Sequence, residues 1–197
     1  MMETVAYLKG VLADGHVYER KESIRIVVRQ NDKEWLLNTI SPILHKLTLR
    51  EPRIIQTSDG IFSLWVYTNK TQLSKEIVEI LLKPFSEIDF QKNSEKLSFI
   101  RGFFEAEGSI YINAKKKNDV RIIMYQKYPE VLIRISTYLE IFGIQSKIYG
   151  PYNNGKNSIF RLIIFKKQNS MKFLDVVNPN KLSKFTLKLN ALRGKYT

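Results

Sequence analysis

Along "TVAYLKGVLAD", residues 4–14, Val5, Leu8 and Leu12 recur at helical spacing, and Gly15 then breaks the period. "HVYER" and "SIRIVVRQ" follow with the alternation of strands. "DKEWLLNTISPILHKL" returns to helical spacing, although Pro42 should kink or divide that helix. "RIIQTSDGIFSLWVYT" predicts a hairpin turning at Ser58-Asp59-Gly60, and "KTQLSKEIVEILLK" predicts a helix stopped by Pro84. The order then begins again. "SEKLSFIRGFFEAE" is a helix with Ser94 as its N-cap, and "SIYINAKKKNDVRIIMYQ" is a hairpin with a basic turn. "YPEVLIRISTYLEIFGI" is a helix whose Pro129 suits the first turn. "SKIYGPYNNGKNSIFRLIIFK" is a hairpin turning at Asn153-Asn154-Gly155, and "QNSMKFLDVV" is a last helix.

The pattern αββαββα therefore occurs twice. It predicts an N-terminal half over 1–85, a linker over 86–93 and a C-terminal half over 94–197. Asp14 and Glu107 fall at equivalent places in the two copies, as do Gln30 and Gln126.

Composition narrows the partner. Hydrophobic residues make up 44% of the 197, enough for a packed core. Lysine and arginine number 32 against 19 acidic residues, a net charge of +13, which favours a polyanion as partner. No apolar run approaches the roughly 18 residues of a bilayer span. Glu3 and the lack of a basic leading segment give no sign of a secretory signal. With no cysteine there is no disulfide or thiolate metal site, which fits an intracellular protein. His16 and His45 have no partners at ligand spacing and read as structural, while Trp35, Phe103 and Phe104 read as core.

The carboxylates at the helix-to-strand junctions are the unusual feature. Asp14, Glu105 and Glu107 sit at helix C-termini, where the dipole already concentrates negative charge. If the two helices pack side by side, the acids meet at one end and repel unless cations intervene. A divalent metal answers this, and a two-metal cluster is a common device for phosphodiester cleavage. Gly10 and Ala13 in one helix, and Gly102 and Ala106 in the other, are small enough for close approach.

"YLKGVLADG" and "IRGFFEAEG" resemble the two motifs of a single-chain LAGLIDADG homing endonuclease, and the resemblance extends over about residues 4–177. In the second motif Gly102, Ala106, Glu107 and Gly108 match the family pattern. The first is one residue shorter, and counting back from Gly15 puts Lys9 at the interface-glycine position. The resemblance implies an α/β (α+β) fold of two four-stranded antiparallel sheets, forming a DNA-binding saddle about a pseudo-two-fold helix interface. It implies site-specific double-strand cleavage with short 3′ overhangs at a long asymmetric target. Asp14, Glu107 and the carbonyls of Ala13 and Ala106 would hold Mg²⁺ ions, with Mn²⁺ able to substitute. Gln30, Gln126 and Lys127 would organise water at the scissile phosphates. The expected partner is double-stranded DNA bound by a monomer, with the protein's own intron RNA as a second candidate. Its place would be an archaeal or bacterial cytoplasm or an organelle matrix. The alternative is an intron maturase, or a nucleic-acid-binding protein of the same fold that does not cut.

Strand parity gives the candidate DNA-reading side chains. Ile24, Ile26 and Val28 should face the covering helices, as should Val120, Ile122 and Met124. Arg25, Arg29 and Arg121 then face outward, with Tyr18 and Arg20 beside them in one half and Tyr111 and Asn113 in the other. Arg53 and Trp65, and in the second half Lys147 and Arg161, extend the surface along the later strands. Lys115 and Lys117 in the basic turn are phosphate contacts.

Overall fold

Helix α1 (Met2–Val11) is buried over the whole of Val5–Val11, on every side rather than along one stripe. A helix apolar all round belongs inside a fold, and the glycines show how tightly this one is held. A Cβ on Gly10 would stand 2.2 Å from the Phe99 carbonyl oxygen, and one on Gly102 would stand 2.0 Å from that of Tyr7. Both glycines lie where α1 meets α5 (Asn93–Glu107), with backbone against backbone. Gly10, not Lys9, is thus the contact glycine of the first copy.

The computed structural model describes residues 1–113, 119–154 and 157–180. They divide into two compact units, Met1–Ala106 and the chain from Glu107 onward. Helix α5 falls almost wholly in the first unit, to which its glycine contact with α1 ties it. The segment before it is packed as well, with Ile88 and Phe90 buried and the Phe90 ring 5.5 Å from that of Phe99.

In the first unit, β1 (Gly15–Glu19), β2 (Ser23–Gln30), β3 (Arg53–Gln56) and β4 (Phe62–Asn69) form an antiparallel sheet in the order β1-β2-β4-β3. The parity expectation holds: Ile24, Ile26 and Val28 are buried and pack with Leu64 and Val66. Between β2 and β3 the chain runs through α2 (Lys33–Trp35), a π-helical turn (Leu36–Ile40) and α3 (Ser41–Thr48). Pro42 neither ends nor divides this run. Its ring and missing N–H disrupt the preceding turn, and the wider π turn absorbs the disruption. Helix α4 (Lys75–Leu82) starts at a Ser74 cap and packs on α1. Lys9, only 4% exposed, donates to the carbonyls of Leu81 and Lys83 at the end of α4, at 2.9 and 2.7 Å. Burial lowers its pKa to about 8.

The second unit repeats the plan with β5 (Gly108–Ile112), β6 (Val120–Gln126), β7 (Lys147–Asn154) and β8 (Asn157–Ile164) in the order β5-β6-β8-β7. Val120, Ile122 and Met124 are buried, as expected, and α6 (Pro129–Ile141) and α7 (Lys167–Val177) contact the sheet. Ser170 of α7 donates to the Val120 carbonyl at 2.9 Å, which satisfies a buried hydroxyl. Ser94 is not the residue before α5; the helix begins at Asn93. The basic turn with Lys115 and Lys117, and Gly155 of the later turn, lie outside the described residues. No described helix is long and apolar enough to cross a membrane.

Candidate functional site

The two acid–glycine junctions are built differently. Helix α1 stops at Val11, not at residue 14, and Leu12–Asp14 form a 3₁₀ turn that delivers the chain to β1. Helix α5 stays α-helical through Glu107, and β5 starts at the next residue. Glycine is required at position 15, because a Cβ there would lie 2.6 Å from the Val27 carbonyl oxygen.

Within the first unit both helix ends converge on the end of β2. Register places Gly15 opposite Val28, and two residues further on Gln30 donates from Nε2 to the Ala106 carbonyl at 2.9 Å. Gln30 and Ala106, each a candidate site residue on its own account, are therefore in direct contact. A carbonyl oxygen has two lone pairs, so this bond leaves Ala106 one more position as an acceptor or ligand. In the second unit, the Oε1 of Gln126 accepts from the backbone N–H of Lys127 at 2.7 Å, and Lys127 is exposed.

Glu105 departs from its expected place among the helix-end acids. It is 1% exposed and accepts from the hydroxyl of Tyr7 and, at 3.1 Å, from the indole N–H of Trp35. Burial, with Glu105 beside it, pushes the Tyr7 phenol well above its ordinary pKa. The carboxylate, on the residue just before Ala106, thus joins α1, α2 and α5. Sequence reading missed this trio. Its one signal was an aromatic pair, Tyr7 and Trp35, whose polar ends need partners once buried.

The outward sheet faces carry the predicted reading residues. In the first unit, Trp65 has Arg25 at 4.9 Å and Arg53 at 5.5 Å from its ring centre, and Tyr67 has Arg25 at 5.3 Å and Arg20 at 5.7 Å. Tyr18, half exposed, lies opposite Arg25. Arg29 forms a 3.1 Å ion pair with Asp59 at the surface, a contact of small energetic weight. In the second unit, Tyr111 pairs with Arg121, and Asp119 holds both Arg121 and Asn113. That hydrogen-bonded pairing raises the Arg121 pKa further. Arg161 lies between Tyr125 and Tyr149 in the register, and Lys147 is exposed at the start of β7.

Among the described residues no three His, Asp or Glu side chains group into a metal cage. The candidate donors are two carboxylates and two backbone carbonyls, all hard oxygen ligands. That set suits a hard divalent ion which takes one or two carboxylates and fills its remaining positions with water and substrate phosphate.

Residues 94–178 match a LAGLIDADG-like domain. The chain is 25% identical to the homing endonuclease I-ApeI of Aeropyrum pernix, across 96% of this chain and 86% of that protein. It is 26% identical to an uncharacterized protein of Methanocaldococcus jannaschii, across 77% of this chain and 59% of the other. Among solved structures, I-DmoI in complex with DNA and Mn superposes with a TM-score of 0.64 at 19% identity, covering 89% of this chain and 96% of that one. The N-terminal LAGLIDADG domain of WhiA superposes with a TM-score of 0.63 at 17% identity, covering 93% and 86%.

Proposed function

We propose that the chain, with two motif copies in one polypeptide, is a LAGLIDADG DNA endonuclease that makes a site-specific double-strand break with short 3′ overhangs. The observation that carries this reading is the convergence of both motif ends on β2, through the Gly15–Val28 register and the Gln30–Ala106 hydrogen bond. The likeness to I-ApeI supports it, as do the complexes of I-DmoI with DNA and divalent metal.

In this reading Asp14, Glu107 and the carbonyls of Ala13 and Ala106 hold Mg²⁺, or Mn²⁺ in its place. Such an ion, when bound, neutralises phosphate charge and makes a bound water more acidic. Gln30 fixes the last turn of α5 against the sheet and so orients the residue that follows Ala106. Lys127 places a cation beside Gln126, where it can meet a phosphate. The outward sheet faces bind duplex DNA. One molecule carrying both copies is enough for an asymmetric target, whereas a symmetric dimer would require a palindrome.

The test is to incubate the full chain with Mg²⁺ or Mn²⁺ and a duplex spanning the insertion site without its insertion, then sequence the ends. A discrete staggered cut is expected, and a chelator should abolish it. Asp14→Asn and Glu107→Gln should each lower cutting by at least about 100-fold, equivalent to about 2.7 kcal/mol, with little change in DNA affinity. Binding without cutting under every metal condition would leave a non-cleaving nucleic-acid-binding protein of this fold.

A further inference from the structure

In each sheet one arginine is flanked across the strands by two tyrosines. On β2, Arg25 lies opposite Tyr18 and Tyr67, under the influence of three aromatic rings including Trp65. Its Nε is buried and has no hydrogen-bond partner. Repeat symmetry puts Arg121 at the matching place on β6, five residues before Gln126 as Arg25 is before Gln30. The rings of Tyr111 and Phe165 lie 5.7 and 5.8 Å from the Arg121 guanidinium, but here a carboxylate joins them. Asp119 grips one edge of the Arg121 guanidinium with both oxygens, from Nε at 2.6 Å and from Nη2 at 2.9 Å. The same carboxylate accepts from Asn113 at 3.3 Å.

The environment of Arg25 recurs instead on β8, at Arg161. Register sets Arg161 opposite Tyr125 and Tyr149, its guanidinium stands 4.3 Å from the Tyr152 ring and 5.5 Å from that of Tyr125, and its Nε is again buried without a partner. A long exposed cation avoids such burial by swinging into water. Stacking on the rings holds these two side chains down. Among the described residues the terminal amino groups of both make no hydrogen bond, so they form the outward edge. A planar pair of N–H donors held in this way suits a bidentate acceptor such as the O6 and N7 of guanine.

We propose that Arg161, not Arg121, is the base-reading arginine of the second sheet, and that it reads closer to the cut than Arg25 does; this rests on the endonuclease reading above. Arg25 is five residues from Gln30 along its strand, about 16 Å. Arg161 faces Tyr125, one residue from Gln126, about 3 Å. Along a groove that the strands follow, the difference of about 13 Å is about four base pairs. The two half-sites are therefore read with different spacing, although the fold is duplicated.

The experiment uses the full chain and a duplex library randomised across the recognised sequence, sorted once by cleavage and once by binding. Thermal midpoints confirm that each variant folds. Arg161→Ala should remove preference at one or two base pairs of one half-site, by roughly 5- to 150-fold. Arg161→Lys should keep most of the affinity and lose the same preference, because the cation remains and the fork does not. Arg25→Ala should act on the other half-site, about four base pairs further from the cut. Arg121→Ala should leave the profile within about twofold. Asp119→Asn, which releases Arg121, should add a preference where the wild type has none. An Arg121→Ala effect as large as that of Arg161→Ala, or an unchanged profile for Arg161→Ala, overturns the proposal. If the wild type sorts the library by binding but cuts nothing, the endonuclease reading fails, and the binding profile alone judges the arginine assignment.

Discussion

The two motif junctions reach the same end by different backbone paths. From Gly10 the chain passes Val11 and three further residues, Leu12–Asp14, before the strand. From Gly102 it passes Phe103 and four, Phe104–Glu107. Three residues of 3₁₀ helix rise about 6 Å, as do four of α-helix, and they turn about 360° against 400°. The tighter helix thus makes up for the missing residue, and Gly10 keeps its place against Phe99. A count of residues between motif positions measures chain, not distance, and the two part wherever the helix type changes.

The strongest challenge to this equivalence is at the glycines. Gly10→Ala and Gly102→Ala each drive a methyl into backbone with no flexible side chain to yield, so each should destabilise the fold by about 3 kcal/mol. Denaturant unfolding checks it, and a much smaller loss at one site would mean the helices meet unequally. Lys9, buried where its counterpart Arg101 is half-buried, sets the next. Its pKa of about 8 lies below the unfolded value, so below pH 8 both states are protonated and burial costs a constant amount. Between about pH 8 and the unfolded lysine value near 10.4, the unfolded chain binds more protons, and stability rises with pH. Against a Lys9→Met variant, wild-type stability should therefore gain on the order of 2 kcal/mol between about pH 7.5 and 10. A pH-independent difference would place the ammonium in water. The smallest effect sharpens the comparison directly. One alanine inserted between Leu12 and Ala13 restores the spacing of the second motif. It should turn the 3₁₀ segment α-helical at a cost below about 1 kcal/mol, read by unfolding and by amide chemical shifts.

The αββαββα order, the buried parity of β2 and β6 and the paired junctions were all legible in the chain, because apolar periodicity and glycine are local signals read every two or three to four residues. Pro42 predicts a kink or a division of its helix, yet the π turn before it is not visible in the sequence, since it depends on how the helix is held at both ends. Glu105 illustrates the same divide. Its sequence neighbours mark a helix-end acid, but Tyr7 and Trp35, 98 and 70 residues away, make it a buried acceptor. Arg25 and Arg121 look equivalent by count and both stand over aromatic rings, but Asp119 takes the Nε edge of Arg121 while that of Arg25 has no partner. The sequence by itself determined which segments are helix and strand, and that the pattern repeats, because those follow from contacts a few residues apart. The tertiary structure alone decided which glycine, which acid and which arginine occupy each role, because partners distant along the chain fix the charge, burial and hydrogen bonding of each group.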